Sequence, residues 1–568
     1  MAKLTLLRAL TVLDKASRHA VATQTETDLG AELTRFRDWL YLRDLRIQQK
    51  LENYLSSPPP NLKFLFLCGS SGDGKSELIR QLREANYLDG QFDFHPDATH
   101  SDSEDTHGNL QTLDRKFREA DSVEKAGRIL VTGINLGLMS NYSSHHGENE
   151  EVHREIKQAF RLRLETPGEL NSNSRIAFFD FADHPRFTYE PDEARFSCEF
   201  AEKFLAKLTE KSDQNPYRNL VEEERQALDS IRSRAHRQAI INFQLLCDPS
   251  IQRFIVETVI MAHLSKSFVF TARAFRDFVY RLVVTPDYLL SNLYALSSHE
   301  WGEAIAIFDP CRRDDHLVDD VLLWAGSDVA VNEIESIFQN WLEIPPRHLG
   351  INKSNPATHL IRLLACKPAP SRITLPPRVE RLATNLKYAA DYEDYLRVWR
   401  TANDPELVKM SSLNMFKRDL KIATRSHLNR GIYFKRQEVH KKQISIRNNE
   451  RRALVSPTKQ LRFDLAPNQA GLVEYFQIVV KGGANIAPLQ INIDFELFRL
   501  IRAIAHGLEA HSLLSSGSRN AFERICRAVK RVVSKTTEIK FEPLRNSLGT
   551  PGHYEIEYDD EDQQFRDE

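Results

Sequence analysis

No uninterrupted run of about 18 apolar residues occurs in this chain, which excludes a helical membrane span. The apolar N-terminus, LTLLRALTVL, is cut by Arg8 and closed by Asp14 and Lys15, so it reads as an amphipathic first helix rather than a secretory leader. The six cysteines, Cys68, Cys198, Cys247, Cys311, Cys366 and Cys526, form no CxxC pair, which argues against a disulfide framework and a zinc knuckle alike. Free thiols in a reducing cytosol, and a soluble cytoplasmic protein, are the expectation. A net charge of only -2 excludes a global positive field, so any contact with nucleic acid must come from a local patch. There is no GxSxG elbow, no HExxH, no PD-(D/E)xK-like cluster, and no metal spacing of cysteine with histidines such as His145 and His146.

What is present is ordinary globular composition, 41% hydrophobic and 27% charged over 568 residues. Residues 1–60 read as an N-terminal helical region, stopped by Pro58-Pro59-Pro60. From 61 to 195 short apolar runs (LKFLFLC, QFDFHPDAT, RILVTGIN, RIAFFDF) alternate with helix-like segments, the signature of a parallel sheet covered by helices. Residues 196–305 read as a helical lid and 306–410 as a helical middle region broken at several prolines, including Pro376-Pro377. Residues 411–568 read as a basic α+β domain with an acidic tail. The fold class expected is α/β, with a P-loop nucleoside triphosphatase core of the AAA+/ASCE-like parallel-sheet kind.

The chemistry starts at GSSGDGKS, comprising Gly69, Ser70, Ser71, Gly72, Asp73, Gly74, Lys75 and Ser76, a complete match to GxxxxGK[ST]. In such a loop backbone N–H groups converge on a β-phosphate at the positive end of the following helix. Lys75 is expected to reach the β- and γ-phosphates and the Ser76 hydroxyl to ligate Mg²⁺. An apolar strand before the loop and the helical ELIRQLREA after it give the required context. Nucleotide and Mg²⁺ are therefore the implied ligands; no NKxD guanine motif is present, and ATP is favoured over GTP by the abundance of such enzymes alone.

Hydrolysis also needs an acid for the metal and its water. Asp180, after the apolar run Ile176–Phe179, resembles the hhhhD end of a Walker B strand, although Phe181 stands where a Glu usually follows. Asp97 at another strand end is the alternative. Asn135, at the tip of ILVTGIN, reads either as a water-orienting residue of the sensor 1 type or as a turn cap. Arg273, just after the helix N-cap Thr271, is a candidate for the γ-phosphate, and Arg186 for an arginine finger offered to a neighbouring subunit of an oligomer. Between Lys417 and Arg462 stand 14 Lys or Arg against three acids, whereas the last 14 residues carry eight acids and one Arg. Lys435, Arg436, Lys441, Lys442, Arg451 and Arg452 are the densest cations; they suit a DNA backbone, a protein partner or the chain's own acidic tail.

Taken in order, GSSGDGKS, HPDAT (His95 to Thr99), INLG (Ile134 to Gly137), FFDFADHPRF (Phe178 to Phe187) and TARAFRDF (Thr271 to Phe278) resemble the DptF, or DndF, family of DNA phosphorothioation-dependent restriction proteins. The likeness covers the first half well and extends more loosely through RGIYFKRQE and FELFRLIRAIAHG; Pro96 departs from a pattern with Asn before the acid. The resemblance implies the nucleotide-hydrolysing subunit of a bacterial restriction complex, acting with partners lettered G and H on DNA that lacks the sulfur-for-oxygen modification. A nucleotide-stabilised scaffold of little turnover and a P-loop kinase are the rival readings.

Overall fold

Residues 64–69 (FLFLCG) form a strand with every position buried, as expected of a strand covered on both faces. In the computed structural model this strand, β1 (Phe64–Gly69), lies within a parallel four-stranded sheet with β2 (Phe92–His95), β3 (Ile129–Asn135) and β4 (Ile176–Asp180), in the order β2-β3-β1-β4. The structure describes residues 4–16, 31–84, 90–95, 98, 108–122, 127–145, 151–165, 175–312, 315–342, 356–386, 389–403, 411–428, 444–448, 451–455, 462–466, 472–481, 488–507, 516–534, 538–541, 554–559 and 564–567. The chain divides into two compact units: residues 1–187, 197–260 and 268–386 form the first, and residues 188–196, 261–267 and 387–568 the second.

In the first unit the period-2 alternation of β1 sorts its side chains between two layers. Phe64, Phe66 and Cys68 pack on one side in a cluster with Phe117 of helix 108–121 and Phe160 of helix 151–165. Phe66 meets Phe160 edge-on at 4.8 Å between ring centres. Leu65 and Leu67 pack on the other with Leu51 and Leu55 of α1 (Arg46–Ser56) and Leu78, Ile79 and Leu82 of α2 (Lys75–Glu84). The segment read as an N-terminal helical region thus supplies part of one covering layer.

The stretch 196–305 is helical, as its pattern suggested, and includes α3 (Ala272–Val284). Its core is aromatic: Trp301 is fully buried and stacks on Phe268 and Phe270 at 4.9 and 5.4 Å. Pro377 proves to be the first residue of helix Pro377–Asn385 rather than a break, since the N–H it lacks has no helical partner at that position.

The second unit is α+β. Strands Leu489–Asp494, Tyr475–Lys481 and Arg462–Ala466 form an antiparallel sheet in that order, and Asp494 caps the helix Phe495–Ala505 by accepting from Leu497 N at 2.7 Å. Tyr395, fully buried, packs among Phe476, Phe495 and Phe498. A second antiparallel sheet runs Gln564–Asp567, Tyr554–Asp559, Glu538–Phe541, Arg451–Val455, Ile444–Asn448. It brings the acidic tail to within one strand of the basic stretch. Among the described residues no helix is long and apolar enough to cross a membrane.

Candidate functional site

The sheet ends its first strand at Gly69, and the chain turns through Ser70–Gly74 straight into α2. Gly72 and Gly74 have φ of +88° and +97°, a region open to glycine and strained for other residues. Gly72 is required twice over, because a Cβ there would lie 2.9 Å from the Cβ of Arg273. Lys75 is buried and folds back over the loop, its Nζ donating to Gly69 O at 3.1 Å and to Ser70 O at 2.7 Å. Asp73 staples the loop from inside. Its Oδ2 accepts from Ser70 N at 2.6 Å and its Oδ1 lies 2.8 Å from Arg186 Nη2, with only 1% of the side chain exposed. Arg186, expected to serve a neighbouring subunit, is therefore engaged with the loop of its own chain.

The strands beside β1 bring two further expected residues level with the loop: Asn135 pairs in register with Gly69, and Asp180 with Cys68. Asn135 is both of the things its position suggested. Its Oδ1 caps helix Leu136–Ser144 by accepting from Leu138 N at 2.8 Å, which leaves the Nδ2 donors without a protein partner among the described residues and on the wall of the cavity. Asp180 is turned inward. Its Oδ1 accepts from Ala182 N at 2.8 Å and its Oδ2 from Arg163 Nη2 at 2.7 Å, and both side chains of the ion pair are buried. Burial opposes the charge on Arg163, but the hydrogen bond and ion pair with Asp180 outweigh it and hold the guanidinium pKa above its ordinary value. A cation already rests on the oxygen that a metal or its water would use, and Asp180 is absent from the cavity wall. Asp180 thus stands in a buried ion pair, which sequence could not show because Arg163 lies on a separate helix. Asp97 lies outside the described residues.

A further wall comes from α3. Thr271 caps it by accepting from Ala274 N at 3.0 Å, and Arg273 N donates to Gly72 O at 3.2 Å, so the helix start is pinned to the loop. Arg273 and Arg276, one turn apart, both line the cavity, and Arg273 has no carboxylate partner among the described residues. Arg276 is the residue that motif reading passed over. It donates to Val12 O at 3.1 Å, while its Nε is buried without a partner and burial lowers its pKa. Its spacing of three from Arg273 on a capped helix was the available signal.

The cavity so formed holds about 260 Å³ and is bordered by Ser71–Leu78, Asn135 and α3, with a second, apolar half from Leu13 and the segment 40–48. Its donors suit a polyphosphate: a glycine-permitted loop at a helix start, one ammonium, two guanidinium groups and a free amide. Ser76 lines this cavity, and its hydroxyl would fit an Mg²⁺ ion that took its other ligands from phosphate and water. Among the described residues no three His, Cys, Asp or Glu side chains gather as a metal centre of their own. Lys435, Arg436, Lys441 and Lys442 lie outside the described residues, and Arg451 and Arg452 open the strand that pairs with Ile444–Asn448. No family model, curated protein or solved structure matches the chain.

Proposed function

We propose that this chain is a P-loop nucleoside triphosphatase that serves as the nucleotide-hydrolysing subunit of a DNA phosphorothioation-dependent restriction complex. The observation that carries the nucleotide reading is the convergence of the Gly69–Ser76 loop, Asn135 and Arg273 on one cavity at the end of a parallel sheet. The place in restriction, with G and H partners and unmodified DNA, rests on the ordered motifs of the first half.

Bound phosphates compete for Lys75, drawing its ammonium from two carbonyl oxygens to a far stronger anion. Ser76 would hold Mg²⁺, which would supply charge neutralisation. Asn135 Nδ2 is placed to orient the attacking water, and Arg273 to stabilise the charge that spreads over the transferred group. Because Arg273 is bonded through its backbone to Gly72, loss of the γ-phosphate loosens α3 and reports nucleotide state to partners.

Support for a polyanion partner comes from the second unit. Helix α4 (Ser516–Ser534) buries Phe522, Ile525, Cys526 and Val529 and exposes Arg519, Arg524, Arg527 and Lys530, none of which has a carboxylate partner among the described residues. Such a row suits a phosphodiester backbone.

The test is hydrolysis of ATP and GTP by purified protein, with and without DNA, for wild type and Lys75→Ala. Turnover that needs Lys75 and rises with DNA or partners is expected. Binding without turnover under every condition points instead to a nucleotide-stabilised scaffold, the reading favoured by the occupied carboxylate of Asp180.

A further inference from the structure

A loop suited to a polyanion has a carboxylate buried inside it. Asp73 stands within the Gly69–Ser76 loop with only 1% of its side chain exposed, and the loop is shaped around it. Its Oδ2 accepts from Ser70 N at 2.6 Å while its own N–H donates to Ser70 O at 3.3 Å, so the turn is closed in both directions. A Cβ on Gly69 would lie 2.7 Å from that same Oδ2 and 3.1 Å from the Cβ of Phe181, so the first glycine of the motif leaves room for the carboxylate. A buried charge requires a partner, and Arg186 Nη2 lies 2.8 Å from Asp73 Oδ1. Arg186 follows β4 and the single turn Phe181–Asp183. The next residue, Phe187, is buried and meets the ring of Phe270 edge-on at 5.2 Å, so apolar packing as well as the ion pair holds this segment in place.

We infer that Arg186 is a positioning residue of the phosphate site: it neutralises Asp73, so that the carboxylate laces the loop without repelling the phosphates. The inference rests on the nucleotide reading above and adds to it a residue outside the glycine motif. A carboxylate is a stronger acceptor for Ser70 N than a neutral side chain, and a loop fixed before its ligand arrives loses less freedom on binding. The same negative charge opposes a polyanion, and away from bulk water that opposition is large. Arg186 separates the two effects. With its guanidinium on Oδ1, the loop keeps the bond to Ser70 N and the pair presents no net charge to the phosphates. If the ion pair served only to tie two segments together, loss of either partner would weaken the site alike; neutralisation requires that the two losses act in opposite directions.

Isothermal titration of the full-length protein in Mg²⁺, with inorganic tripolyphosphate and a non-hydrolysable ATP analogue as probes, tests this. Arg186→Ala is expected to weaken both probes about tenfold, the effect of one unmasked like charge at the site. Arg186→Lys keeps the positive charge and should lose less. Asp73→Asn retains an oxygen for Ser70 N and removes the negative charge, so it should bind both probes more tightly than wild type, and combining it with Arg186→Ala should recover the loss. Weaker binding in Asp73→Asn, or wild-type affinity in a folded Arg186→Ala protein, overturns the inference and leaves the pair a structural tie. Failure of both probes on wild type overturns the nucleotide reading and the inference with it. A poorly folded Arg186→Ala protein does not blunt the test, because the direction of the change in Asp73→Asn decides it.

Discussion

The tips of β3 and β4 flank the end of β1 and each carries a small polar side chain, Asn135 beside Gly69 and Asp180 beside Cys68. The two are used in opposite ways. Asn135 spends its carbonyl oxygen on a helix cap and keeps its amide donors toward the cavity, whereas Asp180 spends both oxygens inside the protein, on Ala182 N and Arg163. The difference lies in what packs above each tip. Over β3 the chain enters a helix at once and needs a cap; over β4 it makes a single helical turn, and a buried arginine from helix 151–165 reaches the carboxylate. The two positions differ by one residue in register, so their side chains leave opposite faces of the sheet and meet different neighbours.

Asp180→Ala gives the largest effect expected. It strands Arg163 beside Asp183, a partner at 3.2 Å whose side chain is 42% exposed. Losing one member of a buried ion pair costs about 3–5 kcal/mol, to be read from urea unfolding. The double replacement Arg163→Leu, Asp180→Leu should recover much of that loss. If the single variant instead unfolds like wild type but no longer supports Mg²⁺-dependent hydrolysis, the two tips are alike after all.

Asn135→Ala should lower hydrolysis by about 10–100-fold with a small change in nucleotide affinity, and cost about 1 kcal/mol through loss of the cap. Asn135→Asp separates the two roles, since it keeps the capping oxygen and removes the donors; its stability should stay near wild type while hydrolysis falls as in the alanine variant. A hydrolysis rate that tracks stability across both variants would reduce Asn135 to a cap.

A titration far from both tips offers a third check of burial against chemistry. His359, buried beside Ser291 and Arg362, has its pKa lowered to about 4, by burial first and then by Arg362. Its neutral form is the folded form, so the unfolded chain binds the extra proton as pH falls below about 6.5, and stability is lost between there and pH 4. From pH 7.5 to 5 this one group removes about 2 kcal/mol. Thermal melts of His359→Leu should show a correspondingly shallower pH dependence.

The smallest effect belongs to the second unit. Reversing the charge of Arg524 and Arg527 should weaken DNA binding and reduce the slope of log affinity against log salt by about one for each phosphate no longer neutralised. An unchanged slope would assign that face to a protein partner.

The sheet was legible in this sequence because β1, β3 and β4 are short apolar runs and glycine at 72 and 74 admits positive φ; the loop and its lysine followed from spacing alone. The helical character of 196–305 was equally plain from its periodicity. Other features were hidden for a common physical reason: they join side chains distant in the chain. Arg163 reaches Asp180 from 17 residues away, Arg186 returns to Asp73, and Arg276 meets Val12 across more than 260 residues. Sequence by itself determined where the loop, strands and helices form, since backbone sterics and local periodicity are properties of neighbouring residues. Tertiary structure decided which polar groups stay open to a ligand, because that depends on which distant groups the fold places against them.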